Sequence, residues 1–201
     1  MFGVNICDFV DPDKQHRKEE YMKIKAIVSA FKPRKIANIS DVVDNDVQWI
    51  SNGTAWYSMD GMPKFTPTSL LKMFDIPEEK QADWISEQKS VSSYIIDASK
   101  DYELEEMKMQ IKWLGETYIF LKDEHSIFAI NEQYLKPLYD EWDYLRYVAH
   151  PLSSGQTTVI LCYVKLELKA VILPVTLGDN LTRELSELLT LTFEGDRYET
   201  S

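Results

Sequence analysis

The side chains best suited to chemistry crowd the start of the chain. Asp8, Asp11, Asp13 and His16 bring three carboxylates and an imidazole close together in sequence. Oxygen-rich sets of this kind hold hard cations, and a neighbouring imidazole extends the choice to transition metals. Their spacing matches no metal-binding loop, and no glycine lies among them to make the sharp turn. An Asp-Pro turn rich in helix-capping residues is the better reading. His125 and His150 stand beside turn residues, outside any catalytic arrangement. The chain holds no Gly-x-Ser-x-Gly, no P-loop and no His-Glu-x-x-His. Cys7 and Cys162 lie too far apart to suggest a zinc spacing or a disulfide framework, so reduced thiols in the cytoplasm are expected. Catalysis is thereby reduced to one narrow reading, a carboxylate-only nuclease around Asp8, Asp11 and Asp13. A non-enzymatic role is expected, with no cofactor and no metal.

Lysine and arginine are the second group with something to contact. The whole chain of 201 residues carries −11. Between residues 14 and 35, however, eight cations stand against two carboxylates, a local +6 that leaves −17 for the rest. An acidic body with one basic face suits a protein that touches a polyanion on one surface and avoids it elsewhere. Lys23, Lys25, Arg34 and Lys35 are the candidate DNA contacts of that segment. The aromatics Trp56, Tyr57, Trp142 and Tyr144 are candidate anchors for a protein partner.

The elements that must position these groups read as α+β, antiparallel strands with a few short helices. Trp49 to Phe74 is the clearest stretch. It reads as a strand, a turn at Asn52-Gly53, a second strand, and a helix capped by Thr66 with Pro67 at its first position. Before it, Lys14–Tyr21 reads as a short helix, Ile24–Phe31 as a strand bounded by Lys32-Pro33-Arg34, and Ile36–Val43 as a strand or an irregular connection. After it come a helix from Asp75, a strand at Ser90–Ile96 and a helix at Asp101–Gln110 with Leu104, Met107 and Lys108 at three-to-four spacing. Ile111–Leu121 and Ser126–Ile130 read as strands turned by Lys122–His125. Asn131 caps a helix running to about Glu141 and loosened by Pro137. Asp143–Ala149, Thr157–Val164 and Leu166–Val175 read as strands, Asp179–Leu189 as a helix, and Glu194–Ser201 as a polar tail. No run is apolar for long enough to span a membrane. The first residues lack the basic and apolar regions of a signal peptide, in keeping with a cytoplasmic location.

A shift of 64 residues lays Trp49–Phe74 over Trp113–Leu138. Trp49 meets Trp113, Ile50 meets Leu114, Ala55 meets Ile119, Tyr57 meets Leu121 and Lys72 meets Lys136. The overlay suggests a duplicated β-β-α-β unit and two halves, 1–110 and 111–201. Ile127-Phe128-Ala129-Ile130-Asn131-Glu132-Gln133-Tyr134-Leu135 resembles the phrase that opens the last domain of bacterial sliding clamps. Leu168-Lys169-Ala170-Val171-Ile172-Leu173-Pro174-Val175-Thr176-Leu177 resembles their closing strand. The likeness covers about 111–177 and, more faintly, 47–76. The chain is too short for a bacterial clamp subunit and continues past the point where that family often ends.

The resemblance implies a non-catalytic processivity or scaffold protein of phage or mobile-element type, assembled as a homo-oligomer around DNA and serving a polymerase or another protein partner. Lys72 and Lys136 would line the hole at matching positions, with Lys108 and Lys112 beside them, and contact phosphates without reading sequence. The alternative is an acidic phage module that inhibits or recruits a host protein.

Overall fold

The computed structural model describes residues 24–43, 46–91, 98–152 and 157–175. The expectations for Lys14–Tyr21, Asp179–Leu189 and the tail fall outside them, as do those for Asp8, Asp11, Asp13, His16 and Lys23. The architecture is α+β. Among the described residues ten strands form one sheet in the order β4-β1-β2-β3-β10-β9-β8-β5-β6-β7. They are β1 (Asn38–Val42), β2 (Gln48–Ser51), β3 (Ala55–Ser58), β4 (Gln88–Val91), β5 (Tyr102–Trp113), β6 (Glu116–Lys122), β7 (Ile127–Asn131), β8 (Leu145–Pro151), β9 (Thr158–Val164) and β10 (Glu167–Ile172). All pair antiparallel except β1 with β4.

Among the described residues three α-helices accompany the sheet: α1 over residues 24–31, α2 (Pro67–Met73) and α3 (Glu78–Gln81). The expected cap of α2 is present. The Thr66 hydroxyl accepts from the Ser69 N–H, and the Ser69 hydroxyl accepts from the Thr66 N–H. These bonds satisfy backbone donors that the first helical turn leaves open.

One row of side chains shows how the pattern makes the core. Ile39, Ile50, Tyr57, Ala170, Cys162, Tyr147 and Leu104 stand opposite one another in succession across seven strands. Each is at least nine-tenths buried. Because strand side chains alternate between faces, a register slip of one residue would turn that strand's contribution away from the core. Phe31 and Leu70 from the helices and Phe74 at the end of α2 join the same cluster, as do Ile119, Leu121 and Ile130 from β6 and β7. Beyond β10 the chain crosses to the far end of the sheet, where the Val175 N–H donates to the Ala129 carbonyl of β7 at 2.8 Å. The run β10-β9-β8-β5-β6-β7 thus returns on itself and leaves β4-β1-β2-β3 as an extension.

Two elements differ in kind from the sequence expectation. Residues 24–31 are a helix, because Ile24, Ile27, Val28 and Phe31 are buried at spacings of three and four while Lys25 and Ser29 face solvent. Asp101–Gln110 is not a helix; from Tyr102 onward its residues belong to the twelve-residue β5. There the apolar positions change parity, from Leu104 to Met107, Met109 and Ile111, where the pairing with β6 is irregular between Glu106 and Gln110. An irregularity of this kind re-aims the following side chains, and its break in alternation imitated a helical period.

The strand expected over Ile111–Leu121 is also cut in two by a turn at Leu114-Gly115. Both residues have positive φ, 51° and 84°, as a two-residue hairpin of type I′ requires. The segment after Asn131 is helical but of the tighter 3-10 form, Glu132–Tyr134 and then Lys136–Tyr144. The Asn131 side chain does cap it, accepting from the Gln133 N–H at 3.0 Å.

The two overlaid stretches consequently occupy different surroundings. Ala55 and Ile119 are both buried, as are Tyr57 and Leu121, but Ile50 lies in the core while Leu114 is 83% exposed at a turn. The second stretch also inserts β7 before its helical segment, where the first has a loop. The division at residue 110 falls inside β5, and the sheet runs through both halves.

Candidate functional site

The basic segment builds its site on α1. Helical geometry places residues seven apart on one face, so Lys25 and Lys32 flank the same groove. Val28, Met73 and Phe74 line its floor, Asp75 adds one opposing charge, and the recess measures about 300 Å³. Two contacts fix α1 against the rest. Phe31 packs on Tyr57 and Phe74 with ring centroids 6.0 and 5.9 Å apart. The buried Asn52 side chain donates to the Ala30 carbonyl at 3.2 Å, and its oxygen accepts from the Thr54 and Ala55 N–H groups. The hairpin turn thereby holds the end of the helix.

Among the expected DNA contacts, Lys25 lies on α1 and Arg34 and Lys35 in the turn after it, all exposed. Lys35 also pairs with Asp83 at 3.1 Å. Lys72 is exposed in the last turn of α2, next to the groove-lining Met73. Lys32, absent from the expected contacts, belongs to the site; its spacing of seven from Lys25 was the available signal once residues 24–31 are read as helix. Lys108 and Lys112 are exposed on β5, Lys108 where a helix was expected, and Lys136 is exposed on the 3-10 segment. These last three do not line the groove.

The expected protein anchors separate. Tyr57 is buried, 2% exposed, and its hydroxyl donates to the Tyr134 carbonyl at 2.7 Å, so it cannot anchor a partner. Trp56 is half-buried in β3. Trp142 lies in the 3-10 segment, its side chain outside the described residues. Tyr144 is 60% exposed. The Lys165 ammonium sits 5.1 Å from the centre of its ring, and the neighbouring Leu166 is 88% exposed. Tyr144 therefore heads a small amphipathic corner that the sequence spacing did not reveal.

His150 does not stand alone. Its Nδ1 lies 2.6 Å from the Asp101 carboxylate, both side chains being mostly buried. A catalytic arrangement would need a nucleophile beside this pair, and the contact described for the His150 ring is the one to Asp101. Burial raises the Cys162 thiol, which keeps it protonated and a poor nucleophile. Tyr118, which donates to Glu116 at 2.9 Å, is pushed up to about 12, mainly by burial and then by that carboxylate. Tyr139, bonded to Glu132 at 3.0 Å, is raised for the same reasons. These phenols are proton donors that satisfy carboxylates, not bases. Among the described residues no group of three or more His, Cys, Asp or Glu side chains is placed to hold a metal ion. None of their helices is long and apolar enough to cross a membrane.

The described fold and site define an α+β protein with a lysine-flanked surface groove. No family model, curated protein or solved structure matches the chain.

Proposed function

We propose that the protein is a non-catalytic, DNA-associated protein that contacts the phosphate backbone through the α1 face. The observation that carries this reading is the pair Lys25 and Lys32 lining one groove, with exposed Arg34 in the turn after α1 and exposed Lys72 next in sequence to the groove-lining Met73, on a chain of net charge −11. Lysine and arginine contacts of this kind position a duplex without selecting its sequence. The acidic remainder confines binding to that face by repelling phosphate elsewhere.

A narrower form of the proposal is a clamp-like processivity or scaffold subunit. The strand-rich α+β architecture and the exposed Lys72 and Lys136 on helical segments are compatible with it. That form adds a demand for self-association into a ring around DNA, which sedimentation in the presence of circular and linear duplex would test.

Binding of the Lys25→Glu/Lys32→Glu variant to duplex DNA across a salt series tests the broader proposal. The wild-type chain should bind at low salt. Each lost phosphate contact should reduce the slope of log K against log salt by about 0.9. No affinity at low salt, or an unchanged slope in the variant, overturns the proposal. The Tyr144–Leu166 corner favours a second reading, a module that recognises one protein. Retention of a single partner without any DNA affinity would support that reading instead.

A further inference from the structure

β4 is the end strand of the sheet, and among the described residues it pairs only with β1. Its extended run continues back to Ile85, which bridges to Ile36. The run reads Ile85-Ser86-Glu87-Gln88-Lys89-Ser90-Val91. About Gln88 it is self-complementary: Ser86 mirrors Ser90, Glu87 mirrors the oppositely charged Lys89, and Ile85 mirrors Val91.

The backbone agrees with that centre. The Ile85 N–H donates to the Lys35 carbonyl at 2.9 Å, and the Ile85 carbonyl accepts from the Ala37 N–H at 2.9 Å. The Glu87 carbonyl accepts from Ile39 at 2.7 Å, and the Val91 carbonyl from Val43 at 3.1 Å. These alternate residues face β1, so strand alternation turns the N–H and C=O groups of Ser86, Gln88 and Ser90 to the side away from β1. Gln88, Lys89 and Ser90 are exposed.

A two-fold axis at Gln88 would pair outward groups with outward groups: Gln88 with Gln88, and Ser86 with Ser90. The closer, non-hydrogen-bonded positions would then bring Glu87 against Lys89 and Ile85 against Val91. Axes at Glu87 or Lys89 would preserve the hydrogen-bond parity but oppose like charges. Apolar surface waits at both ends of the seam, since Ile85 is 56% exposed and Val43, bonded to Val91, is 66% exposed.

We propose that two copies of this chain pair antiparallel through β4 about a two-fold axis at Gln88, joining their sheets into one. Within each chain Lys89 already bonds Glu87 at 2.8 Å, and in the pair the four charges alternate. The contact is isologous and closes at two copies, so it makes a dimer and not a ring. It rests on the sheet edge and is independent of DNA binding.

Sedimentation equilibrium on the full chain, with Lys89→Glu and Glu87→Lys alone and mixed in equal amounts, tests it. The wild type should dimerise with rising concentration. Each variant alone should associate about tenfold more weakly, because like charges then face across the seam. The mixture should recover dimerisation, since two acidic positions in one variant meet two basic positions in the other. Circular dichroism establishes that each variant is folded. A wild type that stays monomeric throughout, variants that dimerise as the wild type does, or folded variants whose mixture fails to recover would each overturn the proposal.

Discussion

Tyr57 shows what a single residue does in this fold. Its ring fills the core row between Ile50 and Ala170, while its hydroxyl reaches Tyr134, 77 positions later in the sequence. Burial holds its hydroxyl well above the ordinary tyrosine range, so it remains a donor at physiological pH. Tyr57→Phe would retain the ring and strip the buried Tyr134 carbonyl of this donor. The expected cost is about 1–3 kcal/mol, read as a lower denaturant midpoint with an unchanged slope. An unaltered midpoint would mean that another donor replaces the hydroxyl. The sequence identified Tyr57 as an aromatic of consequence but assigned it to a partner surface. Residue type alone does not separate a core tyrosine from an interface one, since both need an apolar body and a bonded hydroxyl. Lys25, Arg34 and Lys35 are exposed, as their charge leads one to expect, whereas the His150–Asp101 pair unites residues 49 positions apart and was invisible in local spacing.

At the scale of elements, legibility followed the clarity of each period. Thr66-Pro67 marked the start of α2, and the alternating β-branched runs marked β9 and β10, because local chemistry and tertiary burial agree there. At β5 they diverge, since the change of parity is set by pairing with β6 and not by the segment's own sequence. The joint of β4, β1 and β2 depends on a less conspicuous residue. The Asp41 carboxylate accepts from Gln88 at 2.7 Å and from Gln48 at 2.8 Å. These bonds, that of Gln88 first, hold its pKa below the usual 3.8. A depressed folded-state pKa contributes stability that is complete above the unfolded value and lost as pH falls through the folded one. Acid titration of unfolding free energy should therefore fall more steeply below about pH 4 in the wild type than in Asp41→Asn. Parallel curves would remove Asp41 from the acid response.

For the whole molecule, the connectivity of the sheet predicts how it unfolds. β3 pairs with β10, Val175 returns to β7, and the main core cluster draws on residues from Ile24 to Ile172. Neither side of residue 110 can complete that cluster, since the 1–110 side lacks Cys162 and Ala170 of the shared row and the other side lacks Ile39, Ile50 and Tyr57. A cut there would also sever β5 within its irregular pairing with β6. The cooperative unit is thus expected to extend across both halves, even though the sequence overlay suggested a repeat. Thermal unfolding followed by far-ultraviolet circular dichroism and by tryptophan fluorescence should give coincident transitions, because the tryptophans of β2 and β3 and the strands of the later half belong to one sheet. Fragments 1–110 and 111–201 should each lack a cooperative transition when alone. Two separated transitions in the full chain, or a fragment that melts cooperatively by itself, would show that the halves hold independent cores.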